Sequence, residues 1–139
     1  MKGENCGYCQ GGTLLAEFGI KICDLGVSQL ILFKEQSHPG RCIVAYKDHV
    51  SEIVNLTDEE RSAFFADVNR AANAIHKAFH PEKVNYGAYG DTGCHLHFHL
   101  VPKYRDGFEW GGVFVMNPKQ TYLTDEQYAE MIEKIKSNL

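Results

Sequence analysis

The stretch His95-Leu96-His97-Phe98-His99-Leu100-Val101 constrains this chain more than any other. Imidazoles alternate with large apolar side chains at a period of two residues, which fits an extended strand and not a helix. As a strand it lines His95, His97 and His99 along one side and buries Leu96, Phe98 and Leu100 on the other. Imidazole titrates near neutrality and serves as nucleophile, general acid or base, and metal ligand. Three in a row therefore make a concentrated reactive surface.

The rest of the pattern says what such a strand joins. Three runs rich in β-branched and aromatic residues, Phe18 to Cys23, Val27 to Phe33 and Arg41 to Tyr46, are divided by turn chemistry at Asp24-Leu25-Gly26 and Ser37-His38-Pro39-Gly40. They predict an antiparallel meander. Thr57 and Glu60 form a capping box, and Phe64, Val68, Ala71, Ala72, Ile75 and Phe79 recur at helical spacing up to Pro81. A long amphipathic helix ending near His80 follows. Val84 to Tyr89 reads as a strand, joined to the histidine strand by a tight turn at Gly90-Asp91-Thr92-Gly93. A last helix starts at Thr124, with Gln127 in capping-box position and Tyr128, Met131, Ile132, Ile135 and Leu139 on one face. The fold class is α+β, with about five strands around one long helix. The 139 residues, 44% of them apolar, suffice for one core, and the expectation is one domain over residues 1–139.

A net charge of −4 without a Lys/Arg run excludes a surface built to track a nucleic-acid backbone, so any nucleotide bound is small. The polar start Met1-Lys2-Gly3-Glu4-Asn5 and the lack of any long apolar run predict a cytosolic protein that does not span a membrane. Five cysteines, an odd number, argue against a disulfide framework. Cys6-x-x-Cys9 has the gap that lets two thiolates reach one tetrahedral ion, and residues 1–12 read as a polar metal knuckle or loop. The dithiol redox reading is weaker, since no strand precedes the pair and Gln10-Gly11-Gly12 is poor helix material. A pair of free thiols is the remaining alternative.

His95 to Val101, continued by Pro102-Lys103-Tyr104, resembles the His-φ-His-φ-His-φ-φ signature of histidine triad proteins, where φ is apolar. The likeness runs back through Val27 to His49 and the long helix, covering roughly residues 6 to 105. It implies a five-stranded antiparallel sheet with a central and a C-terminal helix, the sheet continuing across a homodimer. It also implies release of a nucleoside monophosphate from dinucleoside polyphosphates or nucleoside phosphoramidates. In that chemistry His97 attacks the α-phosphorus to form a covalent nucleotidyl-histidine, which water hydrolyses. This requires a backbone carbonyl, on the neighbouring strand or the triad strand itself, to accept from the other ring nitrogen of His97. His99 donates to phosphate oxygens.

The resemblance further implies that His49 and His95 join Cys6 and Cys9 around a zinc ion whose four protein ligands make it structural. It places Glu35 against ribose hydroxyls, with Phe33 as an apolar wall for the base. Asp91 departs from the family, which often carries Asn there to touch phosphate. Its carboxylate repels phosphate unless protonated, turned away or bridged by a cation. Thr92 and the amides of Gly93 and Cys94 are substitute donors, and Asn85 is a second candidate phosphate or water contact. Two other functions fit the same residues: a nucleotide-binding module weakened by Asp91, and a metal-dependent hydrolase whose three histidines hold the catalytic ion.

Overall fold

A computed structural model describes residues 3–139. Two short helices, α1 (Gly7–Gln10) and α2 (Gly12–Ala16), precede the meander β1 (Gly19–Asp24), β2 (Ser28–Phe33) and β3 (Cys42–Tyr46). A 3-10 turn at Ile53–Asn55 leads to α3 (Asp58–Phe79), followed by β4 (Lys83–Gly87), β5 (His97–Lys103) and α4 (Asp125–Lys136). All strand pairs are antiparallel, in the order β1-β2-β3-β5-β4. The five-stranded sheet with a long and a C-terminal helix is the architecture the sequence predicts. Among the described residues no helix is long and apolar enough to cross a membrane.

The helix α3 begins where its capping box says it should. Glu60 N donates to Thr57 Oγ1 (3.2 Å) and Thr57 N donates to Glu60 Oε1 (2.8 Å), and Asp58, Glu59 and Glu60 suit the positive end of the helix dipole. It ends at His80, a left-handed cap with φ 53°. The C-terminal turn fits because Gly40 (φ +95°) brings the β2–β3 connection against it. A Cβ there would lie 2.6 Å from Phe79, so only glycine fits. The α3 side chains Phe64, Val68 and Ile75 pack on Leu30, Leu32, Val44 and Leu100 of the sheet, with Tyr128 and Ile135 of α4 completing this cluster. Each such fully buried aliphatic or aromatic side chain is worth about 1.5–3 kcal/mol.

The opposite face carries a smaller cluster, Leu15, Ile31, Phe33, Ile43 and Ala45, with Tyr8 and Phe18 packed against it. Register puts Ala45 opposite His97 and Ile43 opposite His99, so the histidines share this second face while Phe98 and Leu100 point to α3. Because α3 carries the chain to the far edge and β5 returns between β3 and β4, the histidine strand lies inside the sheet, hydrogen-bonded to a neighbour on each edge.

Three local expectations change. The N-terminal opening is helical rather than a loop: Gln10 N donates to Cys6 O (2.9 Å) and Gly11 N to Gly7 O (2.8 Å). Gly11 and Gly12, with φ 62° and 55°, break the path between two turns instead of preventing helix. The connection from β4 to β5 spans residues 88–96 and is not a tight turn. The strand begins at His97; His95 is just upstream, held extended by Leu96, whose N donates to Val50 O (2.7 Å) and whose carbonyl accepts from Tyr46 N (3.0 Å). At its other end β5 includes Pro102. Lys103 O accepts from Glu82 N on the β4 side, so the Pro102 nitrogen faces the other side, beyond Cys42, where β3 has ended and no ladder bond is lost.

Candidate functional site

His97 is the centre of the site, with 7% of its surface exposed. A carbonyl oxygen can only accept, so the 2.7 Å contact from His97 Nδ1 to His95 O is an N–H donation, and it comes from the triad strand itself. Neutral His97 then carries its lone pair on Nε2. Burial lowers its tendency to protonate below that of ordinary imidazole, against the raising effect of the His95 carbonyl. Tyr8 stacks on the ring, with centroids 5.0 Å and planes 30° apart, and its own ionisation is pushed up by burial.

His99 differs in its partner. Arg41 Nη2 lies 3.1 Å from His99 Nδ1, and the side chains of both are buried. His99 is driven down to about 3 by burial first and then by the neighbouring Arg41 and His97. The unfolded chain protonates His99 near the ordinary 6.5, so between 6.5 and about 3 it binds a proton that the folded chain refuses. Stability is therefore complete above pH 6.5 and is lost as pH falls, by at most about 1.4 kcal/mol per pH unit from this group. Urea unfolding at pH 7 and pH 5 measures it. The His99→Gln variant should show a shallower loss, and an identical slope would place the acid sensitivity elsewhere.

The metal-type residues come together. His95 Nδ1 is 3.5 Å from Cys6 Sγ, 3.3 Å from Cys9 Sγ and 3.2 Å from His49 Nδ1, while Cys9 Sγ is 3.3 Å from His49 Nδ1. The four donor atoms lie within 4.8 Å of one another. Tetrahedral bonds of about 2.0–2.3 Å have edges of roughly 3.3–3.8 Å, so the spacing fits one ion. The far nitrogen of His95, Nε2, donates to Tyr46 O (2.7 Å), which fixes the ring with Nδ1 toward the cysteines. Exposed Cys94 lies 3.6 Å from the other nitrogen of His49.

A cavity of about 810 Å³ opens over the second face of the sheet. Phe33, Asp91, Thr92, His97 and His99 line it, as do Met116 and Asn117 from the C-terminal segment. A neighbouring cavity of about 410 Å³ shares His95, His97, Tyr89 and Asp91 and adds Ser51 and Glu52. Asp91 is exposed and reaches both.

Two expected contacts lie elsewhere. Glu35 lines neither cavity: its oxygens accept from Ser37 N (2.9 Å), Ser37 Oγ (2.7 Å), Gln120 N (2.8 Å) and Thr121 N (2.8 Å). Burial opposes its ionisation, but these donors outweigh burial and hold the carboxyl below its usual range. These bonds brace the β2–β3 connection to the segment before α4 and hold the buried carboxylate outside both cavities. Asn85 sits on β4 opposite Val101 and also lines neither cavity. Sequence reasoning missed Tyr8, Arg41 and the 115–117 segment. Tyr8 had one signal, its place between the two cysteines; Arg41 had none, since a basic residue at a strand start is ordinary.

The HIT domain family model matches residues 22–106. The chain is similar to the AP-4-A phosphorylase of Mycobacterium tuberculosis (strain ATCC 25618 / H37Rv), 33% identical over 81 residues. That match takes in 54% of this chain and 38% of the phosphorylase, so the likeness spans well under half of that protein. It is also similar to the adenosine 5'-monophosphoramidase hnt1 of Schizosaccharomyces pombe, 25% identical over 125 residues, 82% of this chain and 89% of that one. Among solved structures, a histidine triad protein from Sinorhizobium meliloti 1021 superposes with a TM-score of 0.83 at 26% identity, covering 90% of this chain and 93% of the other.

Proposed function

This chain belongs to the HIT domain family, and from that premise we propose that it cleaves a nucleoside 5'-monophosphate from its leaving group through a covalent nucleotidyl-histidine. The observation that carries the reading is the hydrogen bond from His97 Nδ1 to His95 O, which leaves Nε2 of a buried, neutral imidazole free to attack. In the first step a bond forms between Nε2 and the α-phosphorus, and the bond from phosphorus to the leaving oxygen or nitrogen breaks. Water then attacks the same phosphorus, the P–N bond to His97 breaks, and the nucleoside monophosphate departs. His99 donates to a phosphoryl oxygen through the pentacoordinate stage. Phe33 walls the base. Similarity to proteins named for a dinucleoside polyphosphate and for an adenosine phosphoramidate supports adenosine 5'-phosphoryl compounds as the substrate class.

Cys6, Cys9, His49 and His95 hold zinc in this reading, since thiolates with imidazoles at tetrahedral spacing select it. Four protein ligands leave no position for substrate, so the ion is structural and ties α1 to the sheet. The protein is a single-domain cytoplasmic homodimer whose sheet continues across the dimer axis. A catalytic metal held by the triad is disfavoured: among the described residues, His95 groups with the cysteines and His49, while His97 and His99 stand outside that cluster. The exposed carboxylate of Asp91 in the cavity favours, as the second reading, a binding module with little turnover.

The test is incubation with an adenosine phosphoramidate and with diadenosine tetraphosphate, following AMP release and the intact mass after acid quench. AMP release with a transient gain of one adenylyl group is the expected result. Tight AMP binding with neither release nor adduct would sink the enzymatic reading in favour of the binding module.

A further inference from the structure

Arg41 is the least expected group near the site. Its side chain is fully buried, yet among the described residues no carboxylate forms an ion pair with it. The guanidinium lies over the ring of Phe33, 4.2 Å from the centroid, and 5.0 Å from that of Phe114. Nη2 donates to Met116 O (2.7 Å) and Nη1 to Val115 O (3.3 Å), and among the described residues Nε has no hydrogen-bond partner. Nη2 also lies 3.8 Å from Met116 Sδ and, closer, 3.1 Å from His99 Nδ1.

Arginine has no acceptor, so His99 Nδ1 must accept and neutral His99 must carry its proton on Nε2. His97 is fixed the opposite way by the His95 carbonyl. Two rings 5.3 Å apart, on the same side of one strand, thus present Nε2 atoms of opposite character: a lone pair on His97 and an N–H on His99. Without such a fixing partner a neutral imidazole populates both tautomers, and the Nδ1–H fraction cannot donate from Nε2. Burial and the adjacent fixed charge both oppose a second proton on His99, so the donor remains neutral.

We propose that Arg41 is a positioning residue that locks His99 as the Nε2–H tautomer, making it a neutral donor to the phosphoryl group beside the His97 nucleophile. The inference rests on the phosphoryl-transfer reading for the donor's use, but the tautomer assignment stands apart from turnover. It also concerns a side chain that the signature does not contain. Arg41 additionally braces the 115–116 segment next to the cavity, and a purely structural role would consist of that bracing alone.

Long-range ¹H–¹⁵N correlation spectra of the full-length protein separate the two roles, because the ring-nitrogen pattern reports the tautomer directly. The wild-type His99 pattern should be Nε2–H and that of His97 Nδ1–H. In Arg41→Met, His99 should shift to Nδ1–H or to a mixture, and in Arg41→Lys, which retains a cationic donor, the wild-type pattern should return at least in part. For an adenosine phosphoramidate, Arg41→Met should lower kcat by roughly 10–100-fold with KM little changed, the size expected for misplacing one transition-state donor. A wild-type His99 in the Nδ1–H form overturns the proposal outright, whether or not any variant folds. So does a folded Arg41→Met protein whose His99 keeps Nε2–H. Absence of AMP release from every form, with the tautomers and their response to Arg41 as stated, sinks the enzymatic reading and leaves the tautomer lock in place.

Discussion

Replacing His97 with alanine is expected to lower kcat/KM toward an adenosine phosphoramidate by on the order of 10,000-fold or more, because the lone pair that attacks phosphorus is removed with the ring. The variant should still fold. The ring borders two existing cavities, so its removal enlarges space already open rather than hollowing the α3 core. The loss is one hydrogen bond, to His95 O, and the stacking partner of Tyr8, together about 1–2 kcal/mol. Steady-state AMP release and a thermal melt on the same preparation make the comparison. A melting temperature that collapses with the rate would make His97 a structural residue, and a rate that survives would move the chemistry to another side chain.

Cys6→Ser with Cys9→Ser carries the second large effect, on stability. In the four-ligand arrangement both thiolates come from one helical turn, whereas His49 and His95 come from segments joined to the sheet, so the ion cross-links a part of the chain that has few other anchors. Among the described residues α1 buries no side chain fully, and its main packing is Tyr8 against Phe18 and the histidine rings. The double variant is expected to lose bound zinc and about 3 kcal/mol, near 10 °C in melting temperature for a chain of this size. Elemental analysis and calorimetry before and after chelation of the wild-type protein check it. Wild type purified from zinc-containing medium without stoichiometric metal, or a double variant that melts as wild type does, would refute the role.

What could be read from the chain in advance follows the range of the interactions involved. The capping boxes at Thr57 and Thr124 are local, and the helices start where they predict. The alternation at His95–Val101 is local too, and it gave the face on which the histidines lie. Glu35 and Arg41 show where local reading fails. Glu35 follows β2 and Arg41 precedes β3; apart from Ser37 beside Glu35, their partners lie 58 to 86 residues away, in β5 and in the irregular segment from 115 to 121. No periodicity encodes that segment's path, so the sequence points neither to the bracing by Glu35 nor to Arg41. Gly90-Asp91-Thr92-Gly93 predicts a tight turn because its residues match turn chemistry, whereas the connection in the structure runs from 88 to 96.

The strict alternation along β5 also limits how this site can change over time. A strand side chain changes face with each residue, so an insertion or deletion of one residue between His97 and Leu100 would carry imidazoles under α3 and bring Phe98 and Leu100 onto the cavity. Drift in chain length is thus tolerable only outside the histidine row, in the connection before His95 and beyond Lys103. Descendants of this chain are free to acquire new ligand preferences through those flanking segments, while the histidine row itself can vary by substitution alone.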